Sequence, residues 1–232
     1  MASSVVVLEE QEADIEIPYF DSLAQFRAWA LTDELPQRVR VDYIDGRTEV
    51  DMSPEDLFFH SSVKVEIVAE LRNILRAEPT GYLASDRTRV SCPEADLSVE
   101  PDVLYISAES LDSGRVRLVP KATGENDRYV EVEGPPAVVV EVVSDSSVGK
   151  DTERLPVSYW EAGVEEYWLV DARATDLLFH IHARGVTAFE PVRSDAEGFQ
   201  RSRVFRRRFR LARQRDRHGR WVYDLQSRPA DG

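Results

Sequence analysis

Ala137-Val-Val-Val-Glu-Val-Val-Ser144 is a run of mostly β-branched residues with one carboxylate, Glu141, at its centre. Pro135-Pro136 closes it on one side and Ser144-Asp-Ser-Ser147 on the other, so it reads as a short strand covered on both faces. Burying an ionised carboxylate without a partner is costly. Glu141 therefore needs either a cation or a task.

Working outward, Asp102 follows Pro101 at the mouth of a second predicted strand, Asp102 to Ser107, 39 residues before Glu141. If the two strands are neighbours, both carboxylates point to one side of the sheet. Paired acids in that setting suit Mg²⁺ (or Mn²⁺), a hard cation that takes carboxylate and carbonyl oxygens and keeps several waters. The carbonyl of Val142 offers a further oxygen. Such an ion lowers the pKa of a bound water and stabilises charge on a phosphodiester. In a Glu-X-Lys arrangement the lysine would stand two residues after the glutamate, and here that position is Val143. Lys150 is the nearest substitute, one of three lysines with Lys64 and Lys121, and Arg154 lies about a turn beyond it. The bland alternatives are a turn aspartate at 102, a Glu141 paired to Arg89 or Arg154, and an ordinary helix-end lysine at 150.

The rest of the chain supplies the frame. Residues 1–17 show no sustained period and read as a loose arm, leaving 18–232 as a single domain. A helix is predicted from Asp21 to Thr32, capped by Asp21 or Ser22. Asp45-Gly46 joins two alternating stretches as a hairpin. Ser53-Pro54 opens a long amphipathic helix to about Ala77, with Leu57, Val63, Ile67, Leu71, Ile74 and Leu75 at helical spacing. Gly81 to Ser91 reads as one strand, residues 108–127 as an irregular loop, and Asp151 to Ala162 as a helix stopped by Gly163. Glu165 to Asp171 is the next strand, followed by Leu177–His182 and Val186–Pro191 as a hairpin or meander. Strands interleaved with a few helices predict an α/β (α+β) domain with a mixed central sheet flanked by helices.

The net charge of −14 argues against a nucleic-acid partner, yet it is unevenly spread. Residues 171–232 carry 14 Lys+Arg against 8 Asp+Glu, and 201–220 hold ten arginines and the single acid Asp216. That segment reads either as a phosphate-facing edge or as a solvated hairpin. One cysteine, Cys92, excludes a disulfide framework and a Cys-rich zinc site, and a reducing cytoplasm is the simplest compartment. No apolar stretch approaches a spanning helix, so no membrane is expected. His60, near the start of the long helix, could line a site but reads first as a packing or surface residue. His180 and His182 share a strand face without a third ligand nearby, and Tyr159, Trp160, Tyr167 and Trp168 read as packing. No Gly-x-Ser-x-Gly elbow supports a serine hydrolase.

The segments EPDVLYIS and GPPAVVVEVVSDSSVGKDTERLPVSYWEAGVEEYWLVDAR, with VDYIDGRTEVDMSPEDLFFHSSVKVEIVAEL before them, resemble the Uma-type family of restriction endonucleases within the PD-(D/E)XK nuclease superfamily. The resemblance spans about Val41 to Arg173. It implies a restriction-endonuclease-like core, with the hairpin and late strands added, and a Mg²⁺-dependent hydrolytic site acting on DNA. Its aspartate falls on Asp102 and its glutamate on Glu141. Two positions depart from the family: Leu155 stands where relatives often carry a lysine, and Asp42 stands where they often carry a hairpin glutamate. Asp42 is then a shorter acid for the metal cluster and Lys150 the assisting cation. A symmetric homodimer would suit two cuts in a duplex. A catalytically inactive binding module with the same fold is the competing expectation, and RNA or a nucleotide the alternative substrate.

Overall fold

The computed structural model of the chain describes residues 6–10, 13–32 and 39–230. Val6–Glu10 (β1) and Ala13–Ile17 (β2) pair antiparallel, so the described part of the stretch expected to be a loose arm is two paired strands, while residues 1–5 and 11–12 lie outside the described residues. The run Glu9-Glu10-Gln11-Glu12 hides any period in the sequence, whereas the ladder is built by backbone groups. Ile17 ends it in a buried cluster with Phe26 and Trp29 of the first helix, Leu23–Ala30 (α1). Arg40–Ile44 (β3) and Arg47–Asp51 (β4) form the predicted hairpin, with Asp45 and Gly46 both at positive φ as a two-residue turn requires.

The long helix starts later than expected. Asp51 accepts the Ser53 N–H at 2.8 Å, and Asp56 accepts the N–H groups of both Phe58 and Phe59 at 2.8 Å. Asp56 is thus the cap that wins. A π-type turn, Leu57–Ser61, leads into Ser62–Ala77 (α2), whose end matches the prediction. The stretch read as one strand divides into Gly81–Ser85 (β5) and Arg89–Cys92 (β6), because Asp86 and Arg87 take left-handed backbone angles that turn the chain between sheets. Leu97–Val99 (β7) and Val103–Ser107 (β8) follow. The expected irregular loop holds a short helix, Ala108–Asp112 (α3), and a strand, Arg117–Pro120 (β9), before Tyr129–Glu133 (β10).

Ala137 to Ser144 contains the strand Val138–Val142 (β11). A π-type turn, Lys150–Arg154, precedes Leu155–Ala162 (α4), which stops at Gly163 in a left-handed conformation. Glu166–Asp171 (β12), Leu178–Arg184 (β13), Phe189–Pro191 (β14), Gln200–Ser202 (β15), Arg207–Arg215 (β16) and Trp221–Pro229 (β17) complete the chain.

One mixed sheet runs β14-β13-β12-β11-β8-β5, with β11 parallel to β12 and antiparallel to β8. A second mixed sheet, β4-β3-β7-β6-β10-β9, stands where the sequence suggested only one, and a three-stranded sheet, β15-β16-β17, follows. On one face of the first sheet Val103, Tyr105, Val138, Val140 and Val142 pack under Val63, Ile67, Leu71, Ile74 and Leu75 of α2. On the other face Leu104, Ile106 and Val139 meet Leu155 and Tyr159 of α4. The period of two therefore sends Asp102 and Glu141 to the second face, toward α4 and the β3 hairpin.

Candidate active site

β8 and β11 are direct antiparallel neighbours, which brings the two predicted carboxylates together at one end of the pair. The Val142 N–H donates to Asp102 Oδ2 at 2.8 Å, and the Asp102 N–H approaches Glu141 Oε2 at 3.4 Å. The Tyr159 hydroxyl donates to Glu141 Oε1 at 2.7 Å, which orients the carboxylate from α4. Asp102 and Glu141 are 3% and 1% exposed and line a cavity of about 340 Å³ together with Arg40, His60, Val142, Lys150 and Asp151.

Cations approach this pair from three elements. From β3, Arg40 comes within 3.5 Å of Asp102, 3.8 Å of Glu141 and 3.3 Å of Asp42. From α2 and the turn before it, Lys64 lies 4.0 Å and His60 Nε2 3.4 Å from Asp102. Lys150, in the turn before α4, donates to Asp42 Oδ2 at 3.0 Å, and the Glu100 N–H donates to Asp42 Oδ1 at 3.0 Å.

Burial pushes Asp102 up, but the His60 hydrogen bond and the Arg40 charge outweigh it and hold it below the usual aspartate range. Glu141 has no such surplus: burial first, and then the Asp102 charge, push it up. Burial also raises Asp151, whose Oδ2 accepts from Ser147 while its buried Oδ1 has no hydrogen-bond partner. For Asp42, Lys150 and Arg40 overcome the effect of burial and lower it. Lys150 stays charged, since Asp42 more than offsets its desolvation.

The structure thus gathers Asp102, Glu141, Val142 and Lys150 around one cavity and attaches Asp42 to it through Lys150 and Arg40. Lys150 reaches Asp42 rather than the central pair. Neither Arg89 nor Arg154 is the partner of Glu141: Arg89 pairs with Glu100 at 2.7 Å and Arg154 with Glu49 at 2.9 Å. Sequence reasoning missed Arg40, and it set His60 aside as a packing or surface residue and Tyr159 as a packing one. The signal for Arg40 was its parity with Asp42, two residues apart on one strand face; for Tyr159 it was the helix turn beyond Leu155. Leu155 itself is fully buried in the apolar cluster.

The arginines of β16 are engaged elsewhere. Arg213 donates to the carbonyls of Ala172, Ala174 and Thr175 at 2.6–2.7 Å, and Arg210 to Gln226 and the Glu197 carbonyl. Arg213 and Arg215 stack on Trp221 at 4.3 and 3.9 Å. These contacts favour the structural reading of that segment over a phosphate-facing edge.

Among the described residues no three His, Cys, Asp or Glu side chains gather closely enough to cage a metal by themselves. A Mg²⁺ ion does not need that: one or two carboxylates, a carbonyl and waters suffice. Asp102, Glu141 and Val142 line one cavity and offer donors of that chemical kind. The Arg40 Nε and NH2 atoms beside them are buried without hydrogen-bond partners, which marks a cation position held by charge alone.

The family model described as Uma2, "Putative restriction endonuclease", matches residues 23–214. Among solved structures, a putative nuclease belonging to DUF820 from Anabaena variabilis matches with a TM-score of 0.58, covering 79% of this chain and 90% of that one at 16% sequence identity. That likeness speaks for the fold. No curated protein matches the chain as a relative.

Proposed function

The chain belongs to the Uma2 family, and from that premise we propose that it is a Mg²⁺- or Mn²⁺-dependent endonuclease that hydrolyses DNA phosphodiester bonds at the Asp102–Glu141 pair. The observation that carries this reading is the β8–β11 pairing, which puts both carboxylates on one face at the wall of one cavity. Asp102, Glu141 and the Val142 carbonyl would hold the ion, which when bound supplies an acidified water and neutralises phosphate charge. Tyr159 holds Glu141 in orientation and leaves Oε2 toward Asp102. His60 and Lys64 keep Asp102 ionised. Lys150, charged and fixed by Asp42, offers its ammonium to the negative charge that builds on the phosphate.

Cleavage assays on single-stranded, duplex and supercoiled DNA, with Mg²⁺ or Mn²⁺ and with EDTA, test this. Cutting that survives both Asp102→Asn and Glu141→Gln would overturn the site assignment. Lys150→Met should lower the rate about 10-fold to 100-fold, as removal of one charged stabiliser does. The second reading, an inactive binding module, draws on the same lysine: Lys150 is engaged by Asp42, and both positions where a motif lysine is expected hold buried apolar residues, Val143 and Leu155. No cutting and no response to metal would favour it. RNA and nucleotide substrates belong in the same assay. A homodimer would allow paired cuts in a duplex, and sedimentation with and without DNA measures it.

A further inference from the structure

Several arginines of this protein each grip one carboxylate closely. Arg27 holds Glu131 with two hydrogen bonds of 2.9 and 2.8 Å, Arg154 holds Glu49 with two of 2.9 Å, and Arg173 holds Asp171 with two of 3.0 and 2.8 Å. These are the bidentate pairs that the guanidinium fork is shaped for. Arg40 is different. Its Nε, NH1 and NH2 atoms lie 3.3, 3.5 and 3.8 Å from Asp42, Asp102 and Glu141 respectively, each nitrogen against another acid. Nε and NH2 are buried and make no hydrogen bond at all. It is placed by the summed field of three carboxylates rather than locked by one of them.

The neighbouring cations are committed. Lys150 is bonded to Asp42, and Lys64 to Glu55 and Asp86 at 2.5 and 2.6 Å. Arg40 alone among the described residues is paired to all three acids of the cluster, and it keeps a way out, since its side chain is 24% exposed along the cavity.

We infer that Arg40 is the built-in counter-ion of the site, held where a divalent cation binds and exchanged for it when the metal arrives. The inference rests on the reading of Asp102 and Glu141 as metal ligands. A cation bound to oxygens that already lie 3.5 and 3.8 Å from the guanidinium would meet its charge at close range, so the two occupy the position in turn. Without the metal, Arg40 keeps the buried acids from standing against one another unpaired. With it, the guanidinium retracts into the cavity, where Asp42 remains its nearest anchor.

The test is Mn²⁺ and Mg²⁺ binding by calorimetry to chelator-stripped wild type, Arg40→Gln and Arg40→Lys, with thermal melts of each. Arg40→Gln should melt lower than wild type without metal and bind Mn²⁺ at least about tenfold more tightly, because no resident charge has to be displaced. Arg40→Lys, which keeps the charge, should bind no more tightly than wild type. Equal or weaker binding by Arg40→Gln, with wild type binding normally, overturns the counter-ion role and leaves the metal site standing. Absence of binding in every protein overturns both. A second readout needs no neutral variant: the Arg40 Nε–H resonance of the ¹⁵N-labelled wild type, assigned by its loss in Arg40→Lys, should move under saturating Mg²⁺. A resonance that stays in place while Mg²⁺ binds overturns the exchange.

Discussion

On β16 and β17 arginine side chains are consumed by carbonyls, carboxylates and aromatic rings of their own neighbourhood, whereas at the mouth of β8 and β11 buried carboxylates face one another across cations that do not close on them. Asp195 shows the first style. It accepts from the Phe199 and Glu197 N–H groups and from Arg208 and Arg228, so nothing is left over for a ligand. Glu141 shows the second, raised by burial and by Asp102, with a neutral Tyr159 donor and a cation, Arg40, no nearer than 3.8 Å in return. Charge density alone therefore points to one end of the chain and buried, poorly paired acids to another. Ionisable groups perturbed in a cavity are the better signal of a functional site.

The sharpest way to break this comparison is Glu141→Gln. It should reduce metal-dependent cleavage by about 10²-fold or more while circular dichroism stays that of wild type, because the group serves the site and not the core. A large loss of stability with little loss of activity would reverse the assignment.

Glu166 is the next test, since it is a buried carboxylate of the satisfied kind. It accepts from Trp168 Nε1, Ser202 Oγ and the N–H groups of Arg203 and Val204, tying the central sheet to the chain that enters β16. Glu166→Ala leaves these donors unpaired and should cost about 3 kcal/mol in chemical denaturation, with cleavage unchanged below the melt.

A smaller effect is expected for Arg213→Ala. Loss of its three carbonyl contacts and of the Trp221 stacking should cost about 1–3 kcal/mol. DNA affinity and its salt dependence should stay near wild type. The exposed Arg217→Ala should stay within about 0.5 kcal/mol. If both variants instead weakened DNA binding in proportion to the charge removed, the basic sheet would be a phosphate edge after all.

The mildest prediction concerns acid. The Phe199 N–H above all, with Arg228 and the Glu197 N–H, holds Asp195 below the ordinary aspartate range. A carboxylate lowered on folding contributes stability that is complete above its unfolded pKa and is lost as pH falls through the folded one. Asp195→Asn should therefore lower the melting temperature slightly at neutral pH, where the carboxylate contributes, and flatten the curve on the acid side, where wild type has already lost that contribution.

Much of this was legible in the sequence because it is local or periodic. The β11 strand, the Asp45-Gly46 turn, the stripe of α2 and the Gly163 stop each depend on residues within a few positions of one another. The parity that puts Glu141 opposite the apolar face of β11 is likewise written into the strand itself. Where reading along the chain erred, a non-local choice decided. Nothing near Gly81–Ser91 says that two left-handed residues will send its halves to different sheets. Asp56 rather than Ser53 is the cap because its carboxylate takes the Phe58 and Phe59 N–H groups where the helical turns begin.

The site divides in the same way. The sequence by itself determined that Glu141 would be a costly acid in a covered strand, that Asp102 was its natural companion, and that no lysine stood where the simple motif puts one. Only the tertiary structure decided which cations answer that acid. Arg40 and Glu141 are a hundred residues apart, and Lys150 meets Asp42 across a similar span. Pairing over that distance is set by the hairpin's docking against β7 and by the path of the chain into α4. Coulomb attraction falls with distance in space and is indifferent to distance along the chain.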